Sequence, residues 1–194
     1  MIEIVDTIAI RTLLAIERSQ GGTVSSATRQ CSRAGLADFD RPLTLHGERS
    51  IRVVACSIVA MGFGIDKILT SPLVRAKQTA DLVVEVLGTK TKILETRNLI
   101  VGTDPLFLMK ELNQELNNSN ILLVGQEPFL SLFSSILVFG SPAGKLMLKK
   151  AGLACVEANK PIGPRVGSLR SLPTFKQMEI TRGKNELSPL WYRP

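Results

Sequence analysis

The chain has 194 residues, 44% apolar and 21% charged, with 24 Lys plus Arg against 17 Asp plus Glu and a formal charge of +7. That is the range of one globular domain able to bury a real core, with or without an extension. Residues 1–140 carry 14 basic and 14 acidic side chains, whereas residues 141–194 carry 10 basic against Glu157, Glu179 and Glu186; this excludes a polyanion-binding character spread over the whole chain.

The N-terminus, Met1-Ile2-Glu3 with Asp6 close behind, lacks the basic start and apolar block of a secretory signal. Cys31, Cys56 and Cys155 are odd in number and widely spaced, with no CxxC pair, so reduced thiols and a cytoplasmic protein are expected, without metal or cofactor. Ile8-Ala9-Ile10 reads as a short buried strand, and the segment from there to Asp40, rich in Gly, Ser, Thr and charge, as a surface loop. From Gly47, the apolar positions Ile51, Val54, Ala55 and Ile58 have the spacing of a core-facing helix, ended by Gly62 and Gly64. Ile68-Leu69-Thr70 reads as a second strand. Ser71-Pro72 then offers a capping hydroxyl and a first-turn proline for a helix over residues 72–87.

A third strand is expected near residues 92–94, and Asp104-Pro105 repeats the cap-plus-proline signal for a helix to Leu116, stopped by Asn117-Asn118-Ser119-Asn120. Residues 121–140 approach membrane-spanning length but are broken by Gly125-Gln126-Glu127-Pro128, and so read as strand, turn and helix with no membrane segment. Residues 153–157 add another strand. Strands that alternate with helices predict an α/β three-layer sandwich, a mostly parallel central sheet with helices on both faces. The domain is expected over residues 1–157, and residues 158–194 as a basic, proline-containing tail or irregular cover.

Ligands of such sheets bind beyond the carboxyl ends of the strands. Three candidate turns carry polar residues: Arg11-Thr12, Ser71 to Arg75, and Gly125 to Pro128. The second combines a helix N-terminus, the Ser71 hydroxyl and the Arg75 guanidinium, an oxyanion site in outline. The plain alternative is that Ser71 only caps the helix and Arg75 lies on a solvated face.

The run Ser71-Pro72-Leu73-Val74-Arg75-Ala76-Lys77-Gln78-Thr79-Ala80 resembles the SPxxRAxQTA motif of the histidine phosphatase superfamily, which includes the phosphoglycerate mutases. Arg41-Pro42-Leu43-Thr44 and Val124-Gly125-Gln126-Glu127-Pro128 resemble the RPLT and VGHEP boxes of its SixA-type phosphohistidine phosphatase branch. The resemblance spans residues 41–157 and implies a phosphoglycerate mutase-like fold. It also implies a metal-free reaction in which a histidine, in an Arg-His-Gly triplet after the first strand, takes the phosphoryl group and passes it to water. A second histidine and two arginines would bind the phosphate.

Two substitutions set this chain apart. Aligned on the first box, Arg11 is kept but Thr12 stands where the nucleophile belongs, and Gln126 replaces the second histidine. Threonine without an adjacent base and a glutamine that carries no proton predict strongly impaired catalysis. Arg75, Arg11 and Ser71 remain as expected phosphate contacts, with Glu127 a candidate proton carrier and His46, the only histidine, an exposed first-turn residue. The implied partner is a phosphoprotein or a small phosphorylated ligand. An impaired phosphatase, a binding module without activity and a decayed copy of an active enzyme stay open.

Overall fold

The computed structural model describes residues 10–17, 38–62, 64–88, 90–115, 120–149 and 151–184. Its strands are β1 (Ile10–Glu17), β2 (Lys67–Thr70), β3 (Lys92–Glu95), β4 (Ile121–Gln126), β5 (Leu153–Ala158) and β6 (Gly167–Ser171). The helices are α1 (Leu45–Ala60), α2 (Val74–Leu87), α3 (Pro105–Glu115), α4 (Phe129–Phe139) and α5 (Phe175–Lys184). The strands form one sheet in the order β3-β2-β4-β1-β5-β6. Neighbours are parallel from β3 to β1, while β5 is antiparallel to both β1 and β6.

The pleat divides the apolar side chains of β2, β4 and β5 between two cores. Leu69, Ile121, Leu123, Ala154 and Val156 join Leu108 and Leu112 of α3 and Phe129, Phe133 and Leu137 of α4 on one face. Ile68, Leu122, Val124, Leu153 and Cys155 join Ile51, Val54 and Ile58 of α1 and Ala76, Ala80 and Val83 of α2 on the other. Every residue of β4 is buried, as a strand covered by helices on both sides requires. Phe129 and Phe133, one helical turn apart, stack with centroids 6.1 Å apart and interplanar angle 13°. Burying each contributes about 1.5–3 kcal/mol. The α/β sandwich read from the alternation is the fold of the chain.

Local signals explain the helix ends. Thr44 caps α1 by accepting from the Gly47 N–H at 3.1 Å, and Asp104 Oδ1 accepts from the Leu106 N–H at 2.9 Å at the start of α3. The expected end of α3 at Leu116, its stop at residues 117–119, and Cys31 lie outside the described residues, as do residues 8 and 9 of the expected first strand.

Two expectations are corrected. The first described strand, β1, runs from Ile10 to Glu17 and does not end at Ile10, so Arg11 and Thr12 are strand residues, not a turn. The run Leu13-Leu14-Ala15-Ile16 is the longer apolar segment, and it takes the central place between β4 and β5. Of residues 158–194, expected as a tail or irregular cover, the described part to Lys184 carries regular elements. β6 extends the sheet, the Leu153 N–H donates to the Pro173 carbonyl at 3.1 Å, and Met178 of α5 is 3% exposed within the core shared by α1 and α2.

Candidate functional site

β2 ends at Thr70, yet the chain stays aligned with β4 for one more residue, because the Ser71 N–H donates to the Val124 carbonyl at 3.0 Å. The helix therefore starts later than the proline suggests. Leu73 occupies the cap position of α2 and offers no side-chain hydrogen bond. Ser71 is not the cap that its place before Pro72 predicts; it is fully buried, and its Oγ has no hydrogen-bond partner among the described residues. The positive end of α2 has no side-chain cap there.

Arg75 is the second residue of α2 and is 3% exposed, so it does not lie on a solvated face. Its Nη2 donates to Oε1 of Gln126 at 2.5 Å. Gln126 is the last residue of β4, not part of the following turn, and is itself 4% exposed. With Oε1 committed to the guanidinium, the amide must turn Nε2 the other way, and that atom has no partner among the described residues. Gln126 also lines a cavity of about 220 Å³, together with Phe39, Leu73, Leu99, Ile100 and Val101.

The three sequence boxes meet around α2. Gln78 Oε1 accepts the Leu43 N–H at 2.7 Å, which ties the Arg41 to Thr44 segment to the helix that carries Arg75. Thr79 Oγ1 donates to the Arg75 carbonyl at 2.8 Å, one turn away. The cavity wall has its own brace. Thr96 Oγ1 and Asn98 Nδ2 both donate to Glu111 Oε2 at 2.7 Å, which fixes the 3-10 turn Arg97–Leu99 on α3. Neither this brace nor Phe39 belongs to a motif in the sequence. The one local signal was an aromatic residue between Asp38 and Asp40, just ahead of the Arg41 box.

Arg11 and Thr12 are not part of this constellation. The parallel register pairs Thr12 with Ile121 and Glu17 with Gln126, so Thr12 lies at the amino end of the strands, five residues from the level of Gln126. At about 3.3 Å per residue this is roughly 16 Å. The expected phosphate contact by Arg11 and the expected nucleophile position at Thr12 are corrected for that reason. Glu127 sits at the site's edge but is engaged elsewhere: its carboxylate accepts from the Ser131 N–H at 3.1 Å and the Ser131 hydroxyl at 2.5 Å, capping α4. That geometry fits a helix cap better than a proton carrier. His46 is exposed in the first turn of α1 and does not line the cavity.

Among the described residues, no group of three or more His, Cys, Asp and Glu side chains gathers, and no helix is long and apolar enough to cross a membrane. The arrangement presents buried donors of three kinds, guanidinium, amide and hydroxyl, near an uncapped helix end. That is the chemistry of an oxyanion site.

Comparisons with known proteins agree with the geometry. The family described as the histidine phosphatase superfamily (branch 1) matches residues 27–99. An uncharacterized protein of Picosynechococcus sp. PCC 7002 is 32% identical over 134 residues, which are 69% of this chain and 76% of that protein. Among solved structures, the protein histidine phosphatase SixA complexed with tungstate superimposes with a TM-score of 0.70 at 18% identity, covering 86% of this chain and 98% of that one. A phosphoglycerate mutase from Plasmodium falciparum gives a TM-score of 0.56 at 12% identity, covering 84% and 90%.

Proposed function

Because the chain belongs to the histidine phosphatase superfamily, we propose that it is a SixA-like homologue that holds a phosphorylated ligand without the histidine-dependent phosphoryl transfer. The observation that carries this reading is the buried Arg75–Gln126 pair, with Gln126 lining a cavity and with Ser71 Oγ and Gln126 Nε2 buried and without a hydrogen-bond partner among the described residues. A buried donor with no acceptor costs about 1–3 kcal/mol. Phosphate oxygens would recover that cost, and a guanidinium adds a charge-assisted bond.

The loss of catalysis is supported by the histidine inventory. His46 is the only histidine of the chain, so no alignment of the first strand can place one after it. Gln126 can orient a phosphate oxygen by donating from Nε2, but it neither takes a proton nor carries charge. With no imidazole nucleophile, phosphoryl transfer through a phosphohistidine intermediate has no starting atom. What remains is ground-state binding of the dianion. A cytoplasmic phosphoprotein or small phosphate ester is the partner class, in keeping with the free cysteine Cys56.

The test pairs binding with turnover. Calorimetric titration of the full chain with inorganic phosphate and with tungstate, a tetrahedral oxyanion of the same kind, is expected to show one site lost in Arg75→Ala. Incubation with a phosphohistidine-carrying protein is expected to leave the phosphoryl group in place and the chain unlabelled. Covalent labelling with turnover would overturn the loss of catalysis; absence of oxyanion binding would overturn the site.

A further inference from the structure

Resting on the phosphate site above, we infer that the partner is an acidic protein, not a small ester, and that it docks on a basic flank of the site marked by Lys149 and Lys176. The basic residues of the C-terminal part are not carried on a tail: β5 and β6 form one edge of the sheet, and α5 packs beside α1. Two of them stand at the end of the sheet that holds Arg75 and Gln126. After α4 the chain turns back along that helix, where the Leu146 N–H donates to Ser135 Oγ and the Leu148 N–H to Ser131 Oγ, both at 2.9 Å. Leu146 and Leu148 are buried, and the alternate residues Met147 and Lys149 are exposed, with Lys149 level with the start of α4. The Pro173 carbonyl holds Leu153 at the start of β5, and the exposed Lys176 is the second residue of the helix that follows.

Neither lysine forms an ion pair among the described residues, including Glu179 one turn beyond Lys176. The other acids are taken up: Glu127 by Ser131, Glu157 by Arg170, and Glu95, on the far side at β3, by Lys77. Glu17 ends β1 between β4 and β5, but Arg18 follows it, and residues 18–37 hold Arg18, Arg29 and Arg33 with no Asp or Glu. Lys150, next to Lys149, has the same sign. The flank is therefore positive whatever the position of residues 18–37.

From Gln126 in β4 to the start of β5 is two strand spacings, about 10 Å, which an extended chain covers in about three residues. A phosphorylated residue seated at Arg75 and Gln126 thus carries its neighbours about three positions away over Lys149 and Lys176. A small ester does not reach that flank; a polypeptide does, and acidic side chains are the ones the lysines attract. The fixed spacing between phosphate and flank favours a polypeptide over a vesicle or a nucleic-acid duplex, whose charges keep no set distance from a terminal phosphoryl group. Each such exposed pair strengthens binding by about 1.5- to 5-fold and fades as salt rises.

Calorimetry on the full chain tests this with inorganic phosphate and with phosphoserine peptides that differ only in carrying Glu, Ala or Lys at the third position on both sides. The Glu peptide is expected to bind about fivefold more tightly than the Ala peptide at low salt, and the Lys peptide more weakly, with the differences shrinking at high salt. Lys149→Glu with Lys176→Glu is expected to reverse that order. Lys92→Glu with Lys110→Glu, the same charge change on β3 and α3, is expected to keep it, and inorganic phosphate affinity to change little in either variant. If inorganic phosphate binds and the Glu peptide has no advantage, or if both double variants lose the advantage alike, the docking flank is overturned and the phosphate site stands. Retention on duplex DNA or on phosphatidylserine vesicles that is lost in Lys149→Glu, Lys176→Glu, with no preference among the peptides, assigns the flank to that polyanion and overturns the acidic protein partner. If inorganic phosphate does not bind, the phosphate site falls and this proposal with it.

Discussion

Arg75 and Gln126, 51 positions apart in the chain, meet through a buried hydrogen bond of 2.5 Å from Nη2 to Oε1. The bond joins the first turn of α2 to the last residue of β4, next to the Ser71–Val124 bond that aligns the ends of β2 and β4. It also fixes which way the glutamine amide faces, and with it which atom a ligand meets.

Removing the guanidinium should abolish most of the binding. Arg75→Ala is expected to weaken inorganic phosphate by about 10- to 100-fold, the range of a charged hydrogen bond worth about 1.5–3 kcal/mol. Arg75→Lys should recover part of the charge effect but not the planar contact to Gln126. Titration calorimetry at fixed ionic strength measures both.

A site without histidine should bind a non-titrating oxyanion with little dependence on pH. For sulfate, affinity of the chain is expected to be nearly flat from pH 5.5 to 8. Gln126→His introduces an imidazole with an ordinary pKa of about 6.5. Its protonated form adds a positive charge to the site, so sulfate binding should strengthen as pH falls and weaken as it rises. A flat profile in the variant would show that position 126 does not face the anion.

The bond between Glu127 and Ser131 concerns stability more than chemistry. Ser131 Oγ also accepts the buried Leu148 N–H at 2.9 Å, so Ser131→Ala strands that donor and removes the cap partner together. A loss of about 1–3 kcal/mol in urea unfolding is expected. If Glu127 instead carried a proton in the site, Glu127→Gln would change oxyanion affinity while leaving the unfolding midpoint in place.

The C-terminal elements should behave as part of the domain. Met178→Ala opens a space in the core between α5 and α1, with an expected cost of about 2–5 kcal/mol. Were residues 158–194 a tail, the same change would leave thermal unfolding unaltered. Glu111→Ala is a milder case: it releases Thr96 and Asn98 and is expected to lower stability by about 1 kcal/mol in urea unfolding.

The fold was legible wherever a local pattern also satisfied the long-range one. The stripe Ile51, Val54, Ala55 and Ile58, the Asp104-Pro105 cap and the run Ile121 to Val124 each read directly into an element. Arg11 and Thr12 were misplaced because two apolar runs compete for one strand, and the winner is chosen by pairing with β4 and β5, partners more than a hundred residues away. Ser71 was misread for a related reason: a hydroxyl before proline looks like a cap, but its N–H is taken by Val124. β6 and α5 gave little signal because β6 is a largely exposed edge strand and α5 meets the core only through Met178 and the partly buried Phe175, on a segment that is mostly polar. Of the site, Arg75, Ser71 and Gln126 were visible through their motifs. The cavity wall was not, since Phe39 and Val101 come together only in three dimensions.

β1 is the first described strand yet stands fourth in a sheet of six, the seam between the parallel strands β3-β2-β4 and the antiparallel arm β5-β6. Neither half touches the other through strand pairing unless β1 lies between them. During synthesis the first described strand has no partner in the sheet until β4, more than a hundred residues later, has been made, and the antiparallel arm can join only after that.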